Sequence, residues 1–271
     1  MRPIFILLDI DGVLVKPGGY KIAMQETCRS FLELAGLEKF SPDGEVYSLF
    51  EAQRVTSEWD MVPLSLLIVL NAVSGIGLLS STVCSWSEAA IRLKSKAVPD
   101  ITIPYAESIA GFSQHILPGI TAAQGILKAK LDGHGKDLFP HLENPSLIKD
   151  LLGDTRNVSS RLVRKFQEYV LGGEIFWQCY GEKPGLWHDS YLLKHDINML
   201  APDVKQSIHQ YINYGRIFSS IYTARPSLPP REVSADFRNY SPEAELAVNL
   251  CGLDTLPLIG YGKLGYLATR I

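Results

Sequence analysis

The sequence predicts an α/β protein: a Rossmann-like parallel sheet core interrupted by a large, mostly helical insertion. Three observations carry this. Ile4-Phe5-Ile6-Leu7-Leu8 stands near the N-terminus with both strand faces apolar, the pattern of a strand buried on two sides. A second run, "RIFSSIYTARPS", is rich in Ile, Phe and Tyr, begins at Arg216 and stops at Pro226. A third, "TLPLIGYGK", is a short apolar strand leading into Gly260, Gly262 and Lys263. Strand signals thus stand at both ends of the chain, and the long stretch between them is patterned for helices. The expected division is a core of residues 1–16 and 213–271 and a helical insertion of 17–212.

Taken in order, Pro17-Gly18-Gly19 punctuates a loop after the first strand. Ile22, Met24, Cys28, Phe31, Leu32 and Leu34 then recur at helical spacing, predicting a helix over 20–34 that stops at Gly36. Further helices are predicted at 43–54, 56–73 and 86–95. Residues 100–119, with prolines at 104 and 118, read as loop. Helices resume at 120–131, 145–152, 156–171 and 202–213, whereas 173–189, with Trp177, Tyr180 and Trp187, fits no single period. Ser241 as N-cap and Pro242 at the first helical position open a last helix that ends near Gly252.

Composition narrows the function classes. The 271 residues are 46% hydrophobic and 20% charged, ordinary globular usage that fills a sizeable core. The net charge is −3 and no lysine or arginine run stands out, which argues against nucleic acid or an anionic membrane surface as partner. Cys28, Cys84, Cys179 and Cys251 form no CxxC pair, which disfavours a zinc site and suits a reducing cytoplasm. The N-terminal acids Asp9 and Asp11 stand where an export signal would need an apolar core. Residues 61–87 hold no charge, but Pro63, Asn71, Gly75 and Gly77 break the run, so a buried helix and a turn are expected in place of a membrane span.

The chemistry sits at the end of the first strand. In "PIFILLDIDGVLV" the apolar run ends at Asp9, with Asp11 two residues on and Gly12 permitting a tight turn. Parallel sheets bind ligands at the carboxyl ends of their strands. A carboxylate placed there can attack phosphorus, a second acid can manage protons, and Mg²⁺ offsets the gathered negative charge.

"DIDGVL" resembles motif I of the haloacid dehalogenase-like hydrolases, an apolar strand followed by DxDGT or DxDGV. The resemblance implies a phosphatase or phosphomutase with Asp9 as nucleophile, Asp11 as general acid/base, and Asp9 and the Asp11 carbonyl as magnesium ligands. It implies a Thr or Ser at the end of a second core strand, which Thr223 in "SSIYTARPS" supplies, and a Lys near a helix start after the third, which Lys263 supplies. Arg225, two residues after Thr223, has the donor fork to hold a phosphate. The insertion between motifs I and II, residues 10–222, corresponds to the family's substrate-selecting cap. Gly12, Arg225 and, in "EAQRVTSEWD", Arg54 and Trp59 are the candidate contacts for a small phosphorylated metabolite, with Glu58 and Asp60 beside them.

One part of the pattern fails. The family's fourth motif, a strand ending in GDxxxD or DD, should follow Lys263 by a helix and a loop, but only eight residues follow. Asp254 precedes Lys263 and is in the wrong order. The expectation is a core whose C-terminal part is missing: a fragment, a degenerate member that binds phosphate or a partner without turnover, or one that borrows an acid from elsewhere. Without that strand, the strand carrying Asp9 would expose a sheet edge.

Overall fold

The computed structural model describes residues 4–225 and 241–260. It is a mixed α/β structure, mostly helical, that divides into two compact units: Met1–Ile22 with Gln167–Ile271, and Ala23–Phe166.

In the first unit, β1 (Ile4–Asp9), β4 (Ile217–Tyr222) and β5 (Leu258–Ile259) form a parallel sheet in the order β1-β4-β5. The register pairs Ile4 with Ile217 and Asp9 with Tyr222, so both long strands end level. The two-residue strands β2 (Val15–Lys16) and β3 (Ile197–Asn198) pair antiparallel and bring residue 196 beside the loop after β1. One face of the sheet is covered. Leu8 and Ile221 pack with Ile10, Leu14 and Val15 against Ala244, Ala247, Val248 and Cys251 of α12 (Pro242–Cys251). Ile212 of α11 (Pro202–Asn213) joins the same cluster.

The other face corrects the sequence expectation of a strand buried on two sides. Phe5 is 75% exposed and Leu7 66%, and Phe218 and Tyr222 beside them are exposed as well. The reason lies in the layering. Both described helices that pack on the sheet join the cluster of Leu8 and Ile221. Among the described residues β1 is also an edge strand.

The second unit is built from helices. α3 (Glu58–Gly75) is buried along almost its whole length, from Trp59 to Asn71. It therefore needs no polar face, which explains the uncharged run. Among the described residues no helix is long and apolar enough to cross a membrane. α5 (Tyr105–Ala110), α6 (Ala122–Leu131) and α7 (Pro145–Leu152) pack against α3, with α2 (Gly44–Ala52) against α5 and α4 (Trp86–Lys94) against α7. α5 occupies part of the expected loop: Tyr105 to Ala110 forms a six-residue helix, and its Tyr105 hydroxyl donates to the Phe40 carbonyl. The chain passes between the units within α1 (Gly19–Leu34) and within α8 (Arg161–Leu171). The ambiguous segment contains α9 (Gly173–Tyr180), and α10 (Tyr191–His195) follows it.

Candidate active site

Asp9 is the last residue of β1, and the chain turns immediately. Ile10 is fully buried in the core, and its carbonyl accepts from Leu14 N–H (3.0 Å) and Val15 N–H (2.9 Å). Gly12 closes the turn with φ +79° and donates to the Val15 carbonyl at 2.8 Å. That left-handed conformation favours glycine. Because Ile10 plugs the core, Asp9 and Asp11 on either side of it stay half-exposed. One oxygen of Asp9, Oδ1, accepts from Ile10 N–H at 2.7 Å.

Thr223 follows β4 directly and sits one position beyond the partner of Asp9. It is buried, its N–H donates to the Ile259 carbonyl (3.1 Å), and its Oγ1 accepts from Arg225 N–H (3.1 Å). So the acids and the hydroxyl stand at the same carboxyl end of adjacent parallel strands, where such sheets bind ligands.

Arg225 turns inward. Its guanidinium binds both oxygens of Asp11, from Nε to Oδ2 at 3.1 Å and from Nη2 to Oδ1 at 2.6 Å. Nη2 also donates to Asp196 Oδ2 (2.8 Å), and Nη1 to the Glu243 carbonyl (3.0 Å). The Tyr20 ring lies against it, 5.2 Å from centroid to guanidinium carbon. Burial works against its charge, but Tyr20, Asp11 and Asp196 outweigh burial and hold the guanidinium above its usual range. The sequence aims Arg225 at a phosphate; in the structure four of its five guanidinium N–H donors bond to this chain.

Two acids of that network, Asp196 and Glu243, carry no motif. Asp196 Oδ1 accepts from Gly18 N–H and Gly19 N–H, both at 2.9 Å. Glu243, fully buried on α12, accepts from the Tyr20 hydroxyl and from Gln167 Nε2 (2.8 Å). The one sequence signal is the Gly18-Gly19 pair, a backbone suited to close approach whose partner is 178 and 177 positions away.

The remaining candidates lie elsewhere. Lys263 falls outside the described residues. Asp254 is exposed and precedes β5, at the opposite end of that strand from the acids. The cavity lined by Gln210, Tyr211, Tyr214 and Arg216 adjoins the start of β4, again the end away from Asp9. Arg54 and Trp59 belong to the helical unit. Arg54 is exposed with φ +64°, and Trp59 is buried edge-on to Phe166. Asp60 beside it is buried and bonded to Thr155, Arg156 and the Ala122 N–H that begins α6. Among the described residues no group of three or more His, Cys, Asp or Glu side chains is gathered to hold a metal. The oxygen donors present are the Asp9 carboxylate and the Asp11 carbonyl. These suit Mg²⁺, which commonly takes one or two carboxylates and completes its shell with water and substrate phosphate.

No protein-family model and no curated protein matches the chain. Two solved structures share its fold. An X-ray structure of a structural-genomics target aligns over 99% of this chain and 72% of its own, with TM-score 0.65 and 13% identity. The phosphatase Tt82 from Thermococcus thioreducens aligns over 95% of this chain and 72% of its own, with TM-score 0.50 and 16% identity.

Proposed function

We propose that the chain is a magnesium-dependent phosphatase of the haloacid dehalogenase-like superfamily, acting on a small phosphorylated metabolite through an aspartyl-phosphate on Asp9. The observation that carries the reading is the convergence of Asp9, Asp11 and Thr223 at the carboxyl end of β1 and β4. The fold shared with a solved phosphatase supports it.

In this reading an Asp9 oxygen attacks phosphorus. The ester P–O bond breaks, its electron pair goes to the leaving oxygen, and Asp11 gives that oxygen a proton. Water then attacks the phosphoryl group, returning a proton to Asp11 and freeing Asp9 and inorganic phosphate. The Thr223 hydroxyl holds a phosphoryl oxygen, and Lys263 offsets charge on the phosphoryl group. Asp9 and the Asp11 carbonyl would hold Mg²⁺, whose chemistry is to neutralise the charge gathered between carboxylates and phosphate. The helical insertion acts as the cap that selects the substrate.

The test is phosphate release from a panel of small phosphate monoesters with Mg²⁺ present. The wild-type chain is expected to turn over at least one, EDTA to stop it, and Asp9→Asn to abolish it without loss of fold. Substantial turnover by Asp9→Asn would sink the mechanism. No turnover of any ester by the wild-type chain would sink the activity and favour a phosphate-binding module.

A further inference from the structure

We propose that Arg225 is a positioning residue: anchored on Asp196, it holds the Asp11 carboxylate in one orientation. The proposal rests on the reading of Asp11 as general acid/base and adds what aims it.

The argument begins with an asymmetry of burial. The side chains of Arg225 and Asp196 are each 1% exposed, whereas that of Asp11 is 37% exposed. One cation thus joins a sealed anion to an anion that faces solvent. An exposed ion pair holds neither partner still, because two long side chains wander together. Here the cation has no freedom to wander. Four of its five N–H donors are bonded, to Asp11 twice, to Asp196 and to the Glu243 carbonyl. Its own backbone N–H is tied to Thr223 Oγ1, and the Tyr20 ring closes one face.

The anchor is itself anchored. Asp196 accepts from two consecutive backbone N–H groups, those of Gly18 and Gly19. The backbone there approaches so closely that a Cβ on Gly18 would lie 2.5 Å from the His195 carbonyl oxygen, and one on Gly19 2.7 Å from Leu192 Cα. Motif I, the loop after it, residue 196 and the end of β4 are therefore one hydrogen-bonded assembly. Asp11 is the half-exposed carboxylate that Arg225 grips in it.

The two-pronged grip matters chemically. A single ammonium would let the carboxylate rotate, whereas a planar fork fixes its plane. The fork uses one lone-pair direction on each oxygen. An ionised carboxylate has about four, so the outward ones stay open for a proton.

Asp196→Asn tests this. Its retained Oδ1 still accepts from Gly18 and Gly19, but the amide withdraws the charge that seats Arg225. Arg225→Lys, which keeps the charge and loses the fork, is the second variant, and near-UV circular dichroism checks that each is folded. The readout is kcat/KM with Mg²⁺ for two esters, glycerol 2-phosphate and 2,4-dinitrophenyl phosphate. Only the alkoxide leaving group of the first needs a proton. A misaimed acid is expected to cost the alkyl ester on the order of tenfold or more beyond the loss on the dinitrophenyl ester. Equal loss on both esters, or no loss, in the folded variants overturns the positioning role and leaves the phosphatase reading standing. A wild-type chain that hydrolyses neither these two esters nor any other of the panel overturns both.

Discussion

Gly18 and Gly19 donate to one oxygen of Asp196, and a side chain on Gly19 would meet the backbone of Tyr191 and Leu192 at 2.7 Å. Its demand for glycine comes from this close approach, since neither residue has positive φ. Gly19→Ala should therefore destabilise the sheet-bearing unit by about 1–3 kcal/mol, the usual cost of overpacking; urea unfolding of the variant beside wild type checks it. A loss below about 0.5 kcal/mol would mean that the backbone relaxes freely there. Arg225 is the stricter residue, because truncating it leaves Asp196 buried without its cation. Arg225→Met is expected to cost about 3–5 kcal/mol by the same measurement. At this scale the nucleophile motif and Thr223 could be read from local pattern, since strand, acid and turn are contiguous. Asp196 and Glu243 could not. Each is an unremarkable acid in sequence, given its place by partners 177 and 223 positions away. Arg225 could be noticed but not aimed, because the sequence does not say that Asp11 and Asp196 meet it first.

α1 and α3 illustrate what an element contributes. Cys28 on α1 is fully buried, and its thiol faces the Val62 carbonyl of α3 at 3.9 Å. Burial pushes that thiol up from 9.0 to about 12. The native state then holds the proton more tightly than the unfolded chain. The associated stability is fully present below pH 9 and is lost as pH rises from 9 to about 12. The helical unit should lose stability over that window at up to about 1.4 kcal/mol per pH unit from this group. Cys28→Ala should flatten that part of the slope, measured by urea unfolding at several alkaline pH values. An unchanged slope would place the thiol in contact with water. The helices that carry such packing were legible where an apolar stripe or a cap marks them: α2, α3, α6, α7 and α11 match the expected spans within a few residues at each end. α5 and α10 were not, because six and five residues are too few for a 3.6-residue period to emerge, and two-residue β2 and β3 carry no pattern at all. α9 is no shorter than α7, but Trp177 and Tyr180 follow no single apolar stripe with the residues around them.

For the molecule as a whole, the strand carrying the acids sets the sharpest test. Parallel sheets are ordinarily covered on both faces, and the apolar residues of β1 read that way. Coverage depends on which elements lie above the strand, and no residue within the strand encodes that. In the structure Leu8 meets the core, while Phe5 and Leu7 on the alternate face are exposed and Phe5 stacks on Phe218 with ring centroids 5.3 Å apart. The two arrangements differ in energy by an amount that unfolding experiments resolve. A Phe buried under a second layer costs about 3–5 kcal/mol on truncation. An exposed one loses only its stacking partner, worth about 0.5–1.5 kcal/mol. Phe5→Ser is therefore expected to cost no more than about 1.5 kcal/mol in urea unfolding. The double variant with Phe218→Ser should cost less than the sum of the singles, because the stack can be lost only once. The same substitutions should lower the fluorescence of bound anilinonaphthalene sulfonate, which reports exposed apolar surface. A loss of 3 kcal/mol or more for Phe5→Ser alone would show that this face is covered in solution.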